Sequence, residues 1–173
     1  MARSRCRPYA EAAAAGQAFT AFILGIVAAT NSGADPPLAR RYQGDVKSLP
    51  PYARLLGLNI DHRDGARIFV MPFSADVVGR PGFLHGGAIA GLLEFAAFEA
   101  LAAAIDDPTV VMKPVTVTVD YMRGGSEGLG DTFADAIIER LGKRIANVEA
   151  LAWQADKAKP IAAARINFLL ERP

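Results

Sequence analysis

Residues 79–100, GRPGFLHGGAIAGLLEFAAFEA, set a turn-rich, glycine-bearing lead-in against a run that is almost wholly apolar. The run predicts a long helix from about His85 to Ile105, delivered by a loop over residues 79–83 and stopped by Asp106-Asp107-Pro108. A helix apolar on nearly every face has to be covered all round. Glu94 breaks the pattern, because a carboxylate among leucines, alanines and phenylalanines requires a partner or a function. Glu99, five positions on, falls on a different face and reads as interfacial or solvated.

The residues around this helix supply its cover. Val115, Val117, Val119 and Tyr121 alternate with Thr116, Thr118 and Asp120, the period of a strand with one buried face. Further strands are predicted over residues 132–141, 145–154 and 161–170, separated by glycine-bearing or polar stretches. Upstream, residues 58–63 and 66–73 flank Asp64-Gly65, a favoured hairpin turn. Pro50-Pro51 opens a brief helical turn through Leu56, and residues 38–46 read as a short polar helix. The order β-β-α-β-β-β-β gives an α+β domain whose six-stranded antiparallel curved sheet wraps a long central helix. One curved layer leaves part of that helix bare, so a second copy of the chain is expected as its cover: a homodimer, with a dimer of dimers also open.

The 173 residues suit one domain of this kind over residues 38–173, preceded by an N-terminal helical extension over residues 1–37. Lys and Arg total 19 against 18 Asp and Glu, which lacks the basic footprint of a nucleic-acid binder. The single cysteine, Cys6, cannot form an internal disulfide, and a reducing, cytoplasmic compartment fits. Arg3, Arg5 and Arg7 before the apolar residues 18–29 imitate a signal peptide, but Glu11 interrupts the approach and no A-x-A site follows. That stretch is too short for a transmembrane segment. An amphipathic helix over about residues 9–30 is the plainer reading, ended by Asn31-Ser32-Gly33 and Pro36-Pro37.

Leu84 to Glu94, LHGGAIAGLLE, resembles the signature of the hotdog-fold acyl-CoA thioesterases, in their PaaI-like branch. The resemblance extends to YARLLG at residues 52–57, VDYMR at 119–123 and GKR at 142–144. It implies hydrolysis of an acyl-CoA, with no cofactor beyond the coenzyme A of the substrate, by a dimer whose sites lie at the subunit interface. It also implies that Gly86 offers its backbone N–H to the thioester carbonyl, while Glu94 arrives from the opposite subunit as general base or nucleophile. Two positions depart from the pattern: Gly79, six residues before His85, stands where relatives often carry Asn or Gln, and Pro114 stands near a Ser or Thr, with Thr116 the nearest hydroxyl. Those departures keep open a non-catalytic acyl-CoA-binding or sensing role.

The residue types suit that chemistry. A helix N-terminus carries N–H groups without intrahelical partners and a dipole that favours negative charge, and Gly86 and Gly87 bring no Cβ to obstruct an approaching substrate. Partial burial of Glu94 would raise its pKa and make it a better base. His85 either orients the loop through a backbone hydrogen bond or touches the carbonyl. Arg123, Lys143 and Arg144 are candidates for the phosphates of coenzyme A, and Phe83, Phe95 and Phe98 for the acyl pocket. No metal cluster is indicated, since His62, the second histidine, sits in a strand remote in sequence.

Overall fold

The alternating segments of the second half form four long strands: β5 (Val111–Tyr121), β6 (Thr132–Leu141), β7 (Ile145–Trp153) and β8 (Ala162–Glu171). Ahead of them come a short helix, α1 (Pro51–Leu55), the hairpin strands β1 (Asn59–Arg63) and β2 (Ala66–Met71), a small pair β3 (Val78–Arg80) and β4 (Phe83–Leu84), and the long helix α2 (Gly86–Ile105). This computed structural model describes residues 49–63 and 66–173. The helices expected over residues 9–30 and 38–46, the extension over residues 1–37 and the Asp64-Gly65 turn lie outside those residues.

The sheet is six-stranded and antiparallel in the order β1-β2-β6-β7-β8-β5, leaving β1 and β5 as edges. Period two decides what faces α2. β7 turns Ala146, Val148, Ala150 and Ala152 inward, and β8 turns Ala162, Ala164, Ile166 and Phe168 inward, all buried. The small residues cluster where β7 meets the start of β8, so one end of α2 can lie closer to the sheet than the other. Against them α2 buries Ala88, Ile89, Leu92, Leu93, Ala97 and Leu101. By length and composition α2 also resembles a membrane span, but it is the helix the sheet packs upon. It ends at Asp106, a left-handed residue (φ 48°) whose N–H still reaches the Ala102 carbonyl; an acid tolerates this backbone better than most side chains.

Among the described residues the cover is incomplete on one side. Ala90, Glu94, Phe98, Ala102 and Ile105, spaced three or four apart, form a single half-buried stripe along α2. On the β5 edge, Val117 and Tyr121 pair with the inward-facing Ile166 and Ala162 and thus share their face, yet they are 40% and 54% exposed. Val115 and Met122 beside them are 57% and 46% exposed.

Three details differ from the sequence reading. Residues 79–83 are not a plain loop: β3 and β4 pair across Pro81-Gly82, with Gly82 at φ 76°, a residue pair suited to a tight turn. β5 starts at Val111 rather than Val115, because Pro114 is accommodated at an edge-strand bulge between Pro114 and Thr116. Glu99 is not solvated. It is 8% exposed and ion-paired with Arg67 of β2, which opposes the upward push of burial on its pKa.

Candidate active site

The mouth of α2 is built by the strand pair that precedes it. The His85 N–H donates to the Val77 carbonyl (2.8 Å), which fixes His85 in extended conformation (φ −73°, ψ 134°) as the residue capping the helix. Its imidazole Nδ1 accepts from the Gly87 N–H at 2.9 Å. This ties the imidazole to the backbone two residues on, at the helix mouth. An acceptor at Nδ1 puts the remaining ring proton of the neutral imidazole on Nε2. Gly79 belongs to the same arrangement, since a Cβ there would lie 2.9 Å from His85 Cα and 3.2 Å from its Cδ2.

The first turn can be followed amide by amide. The Ala88 and Ile89 N–H groups donate to the His85 carbonyl at 3.0 and 3.2 Å, and the Gly87 N–H is taken by His85 Nδ1. Among the described residues no acceptor meets the Gly86 N–H. The carbonyls of this turn are held as well: Tyr121 donates its hydroxyl to Gly86 O at 2.8 Å, and Tyr52 donates to Gly87 O at 3.1 Å. The sequence reading gave neither tyrosine a role. Each lies 35 residues from the carbonyl it holds, so no local pattern announces the contact. Gly86 also turns out to be glycine for a second reason: a Cβ would sit 3.3 Å from Tyr121 Cζ and its hydroxyl oxygen.

Glu94 is two turns further along the stripe. Burial raises its pKa, and among the described residues no cation forms an ion pair with it. Tyr52 lies close enough to sense it, its own pKa being raised by burial first, then by the Glu94 carboxylate and by Tyr121. Eight residues of α-helix separate Gly86 from Glu94, about 12 Å along the axis.

The remaining candidates scatter. Phe98, one turn beyond Glu94, is half-buried and packs edge-on against Phe168 with ring centroids 4.9 Å apart. Phe83 lies in the small strand pair, with the Arg80 guanidinium 4.0 Å over its ring. Phe95 packs between Tyr52 and Phe69. Thr116 is opposite Asn167, on the sheet face turned away from α2. Arg123 is at the mouth end, where its guanidinium donates to the Pro160 carbonyl at 2.8 Å. Lys143 and Arg144 line a shallow groove with Arg140 and Asn147 at the β6–β7 turn. That turn is seven residues of ladder from the Ala152–Ala162 pair, about 24 Å, so these cations do not join Arg123 within one chain. Among the described residues no three metal-ligating side chains come together.

The family profile of the thioesterase superfamily matches residues 81–161, which span the helix mouth, α2 and three of the six sheet strands, β5, β6 and β7. Among solved structures, a protein of Chromobacterium violaceum is 33% identical, over 76% of this chain and 91% of its own, with a TM-score of 0.58. A thioesterase enzyme of Staphylococcus aureus, crystallised as a mutant, is 25% identical, over 70% and 98%, with a TM-score of 0.59. A protein of Bacillus halodurans crystallised with CoA is 19% identical over 91% and 93%, with a TM-score of 0.63, a likeness of fold. Comparison with curated proteins gives no match. With a six-stranded antiparallel sheet on one long helix, and a profile match running through both, the chain belongs to the thioesterase superfamily and has its hotdog fold.

Proposed function

We propose that this protein is a PaaI-like acyl-CoA thioesterase that works as a homodimer. The observation that carries the reading is the Gly86 N–H, without an acceptor among the described residues, at the positive end of a helix whose neighbouring amides are all engaged. A thioester carbonyl oxygen seated there gains negative charge as water adds to the carbon, and a preorganised donor stabilises that state more than the ground state. Glu94 of the partner subunit takes the proton of the attacking water; the C–S bond then breaks, and the proton passes to the departing CoA thiolate. Attack by the Glu94 carboxylate itself, through an anhydride that water then opens, uses the same position. Membership in the superfamily supports thioester hydrolysis, and the CoA bound to the Bacillus halodurans protein supports the choice of thiol.

The exposed apolar β5 edge supports a dimer, as does the stretch of about 12 Å of helix between Gly86 and Glu94 in one chain. A two-fold seam along β5 would cover Val115, Val117 and the Glu94 stripe, and would bring each Glu94 toward the other chain's helix mouth. If β5 pairs antiparallel with its copy, the partner's Lys143 and Arg144, rather than those of the same chain, approach a given mouth. Phe98 then lies beside the acyl group and Arg123 beside the phosphates.

A binding protein without turnover is the second reading. It is favoured by Gly79, which offers no polar side chain, and by Thr116, which faces away from α2. Thiol release from a panel of acyl-CoAs separates the two: hydrolysis by the wild type, abolished in a folded Glu94→Ala dimer, is expected. Tight binding with no release across the panel would establish the second reading instead.

A further inference from the structure

The first-turn carbonyls of a helix are already intrahelical acceptors; only the last turn leaves carbonyls without partners. Gly86 O and Gly87 O nevertheless each receive an additional hydroxyl, from Tyr121 at the end of β5 and Tyr52 in α1. Two elements that are remote in sequence thus converge on consecutive peptide groups. We propose that Tyr121 and Tyr52 are positioning residues that set the tilt of the first-turn peptide planes of α2 and thereby aim the Gly86 N–H. This rests on the hydrolase reading for its kinetic consequence, but not for the geometry it asserts.

The wiring supports a directional role. The Gly86–Gly87 peptide is held at both ends, its oxygen by Tyr121 and its N–H by His85 Nδ1. The Gly87–Ala88 peptide is held at both ends as well, its oxygen by Tyr52 and its N–H by the His85 carbonyl. The His85–Gly86 peptide is anchored only through its oxygen, so its N–H inherits its direction from the two planes that follow. The sockets for the rings are glycines: a Cβ on Gly86 would meet Tyr121 at 3.3 Å, and a Cβ on Gly91 would meet Tyr52 Cε1 at 2.7 Å. Side chains at either place would push the hydroxyls off their carbonyls. Burial raises the pKa of both phenols, which keeps them protonated donors throughout the working range.

The test uses full-length protein, labelled with carbonyl-13C glycine, as wild type and as Tyr121→Phe, Tyr52→Phe and the double variant. Phenylalanine keeps the ring in its socket and removes only the hydroxyl. The Gly86 carbonyl resonance is expected to move upfield in Tyr121→Phe and that of Gly87 in Tyr52→Phe, with faster hydrogen exchange at the Gly86 amide in the double variant. On the acyl-CoA that the wild type cleaves, kcat falls about tenfold for each variant, the worth of one hydrogen bond, while KM changes by less than about twofold. Unmoved resonances, an unchanged kcat, or a rise confined to KM would each overturn the assignment. If the wild type cleaves no acyl-CoA, the hydrolase reading fails on that result alone. The resonances and the Gly86 exchange rate then decide the tyrosines: a response sustains the assignment and its absence removes it.

Discussion

Replacing Gly86 by proline deletes one proton donor and adds a Cβ beside Tyr121, and an alanine at the same place adds that Cβ alone. Gly86 is the first residue of α2, and His85 before it is extended, which is the position and the preceding backbone that proline accepts. The N–H removed has no acceptor among the described residues, so no hydrogen bond of the fold is lost with it. The added ring does bring a Cβ to 3.3 Å from Tyr121, and Gly86→Ala brings the same Cβ while keeping the N–H. The comparison between proline and alanine therefore isolates the donor. Losing one oxyanion donor costs about 10² to 10³ in kcat, roughly 3 to 4 kcal/mol of transition-state stabilisation. Denaturant melts of the two variants should agree within about 1 kcal/mol. The assay is thiol release from the best acyl-CoA substrate, with kcat and KM taken separately. A proline variant as active as the alanine variant would mean that the Gly86 amide does not meet the developing oxyanion, and the mechanism would fall with it.

The subunit seam is tested by mixing. Gly86→Pro and Glu94→Ala chains, dissociated and reassociated in equal amounts, should form about half heterodimers with one intact site in two, restoring about a quarter of wild-type activity. No recovery after proven subunit exchange would place both groups in one chain, whereas Val117→Lys, which sets paired charges on the β5 edge, should yield inactive monomers in sedimentation. Because burial raises the Glu94 pKa, kcat/KM should fall on the acid side with a midpoint above the ordinary carboxyl range, and Glu94→Gln should abolish that limb together with activity. The same shift sets the sign for stability. Glu94 holds its proton more tightly in the folded protein than in the unfolded chain, so its contribution is fully present below the ordinary carboxyl value and is lost as pH rises through the folded one. Melts of Glu94→Gln should therefore exceed wild type at neutral pH and converge with it in acid.

What the sequence discloses about this molecule depends on how far apart the interacting residues are. β6 is found where the alternation puts it, over Thr132–Leu141, and α2 differs from its expected start by one residue, because period and stop signals are local. The cap by His85 is also local, two residues from the amide it accepts. The β3–β4 pair escapes notice because strands of three and two residues are too short to display a period. The Glu99–Arg67 pair and both tyrosine contacts depend on where α2 crosses the sheet, which no window of sequence contains. Thr116 lies on the face that the alternation assigns to it, opposite that of Val117, whereas the bulge at Pro114, which lets β5 begin at Val111, is long-range in origin.

The alanines of the inner sheet face have an engineering consequence. Ala152 and Ala162 are fully buried and paired with each other, and Ala162 is also the ladder partner of Tyr121. A valine at either position would have to lift α2 or shift the neighbouring strand, and through the strand the Tyr121 that holds Gly86 O. Under the proposed acyl-CoA reading, chain preference is then open to tuning by methyl groups that never touch a ligand, a route for laboratory selection that would leave every proposed reacting group as it stands.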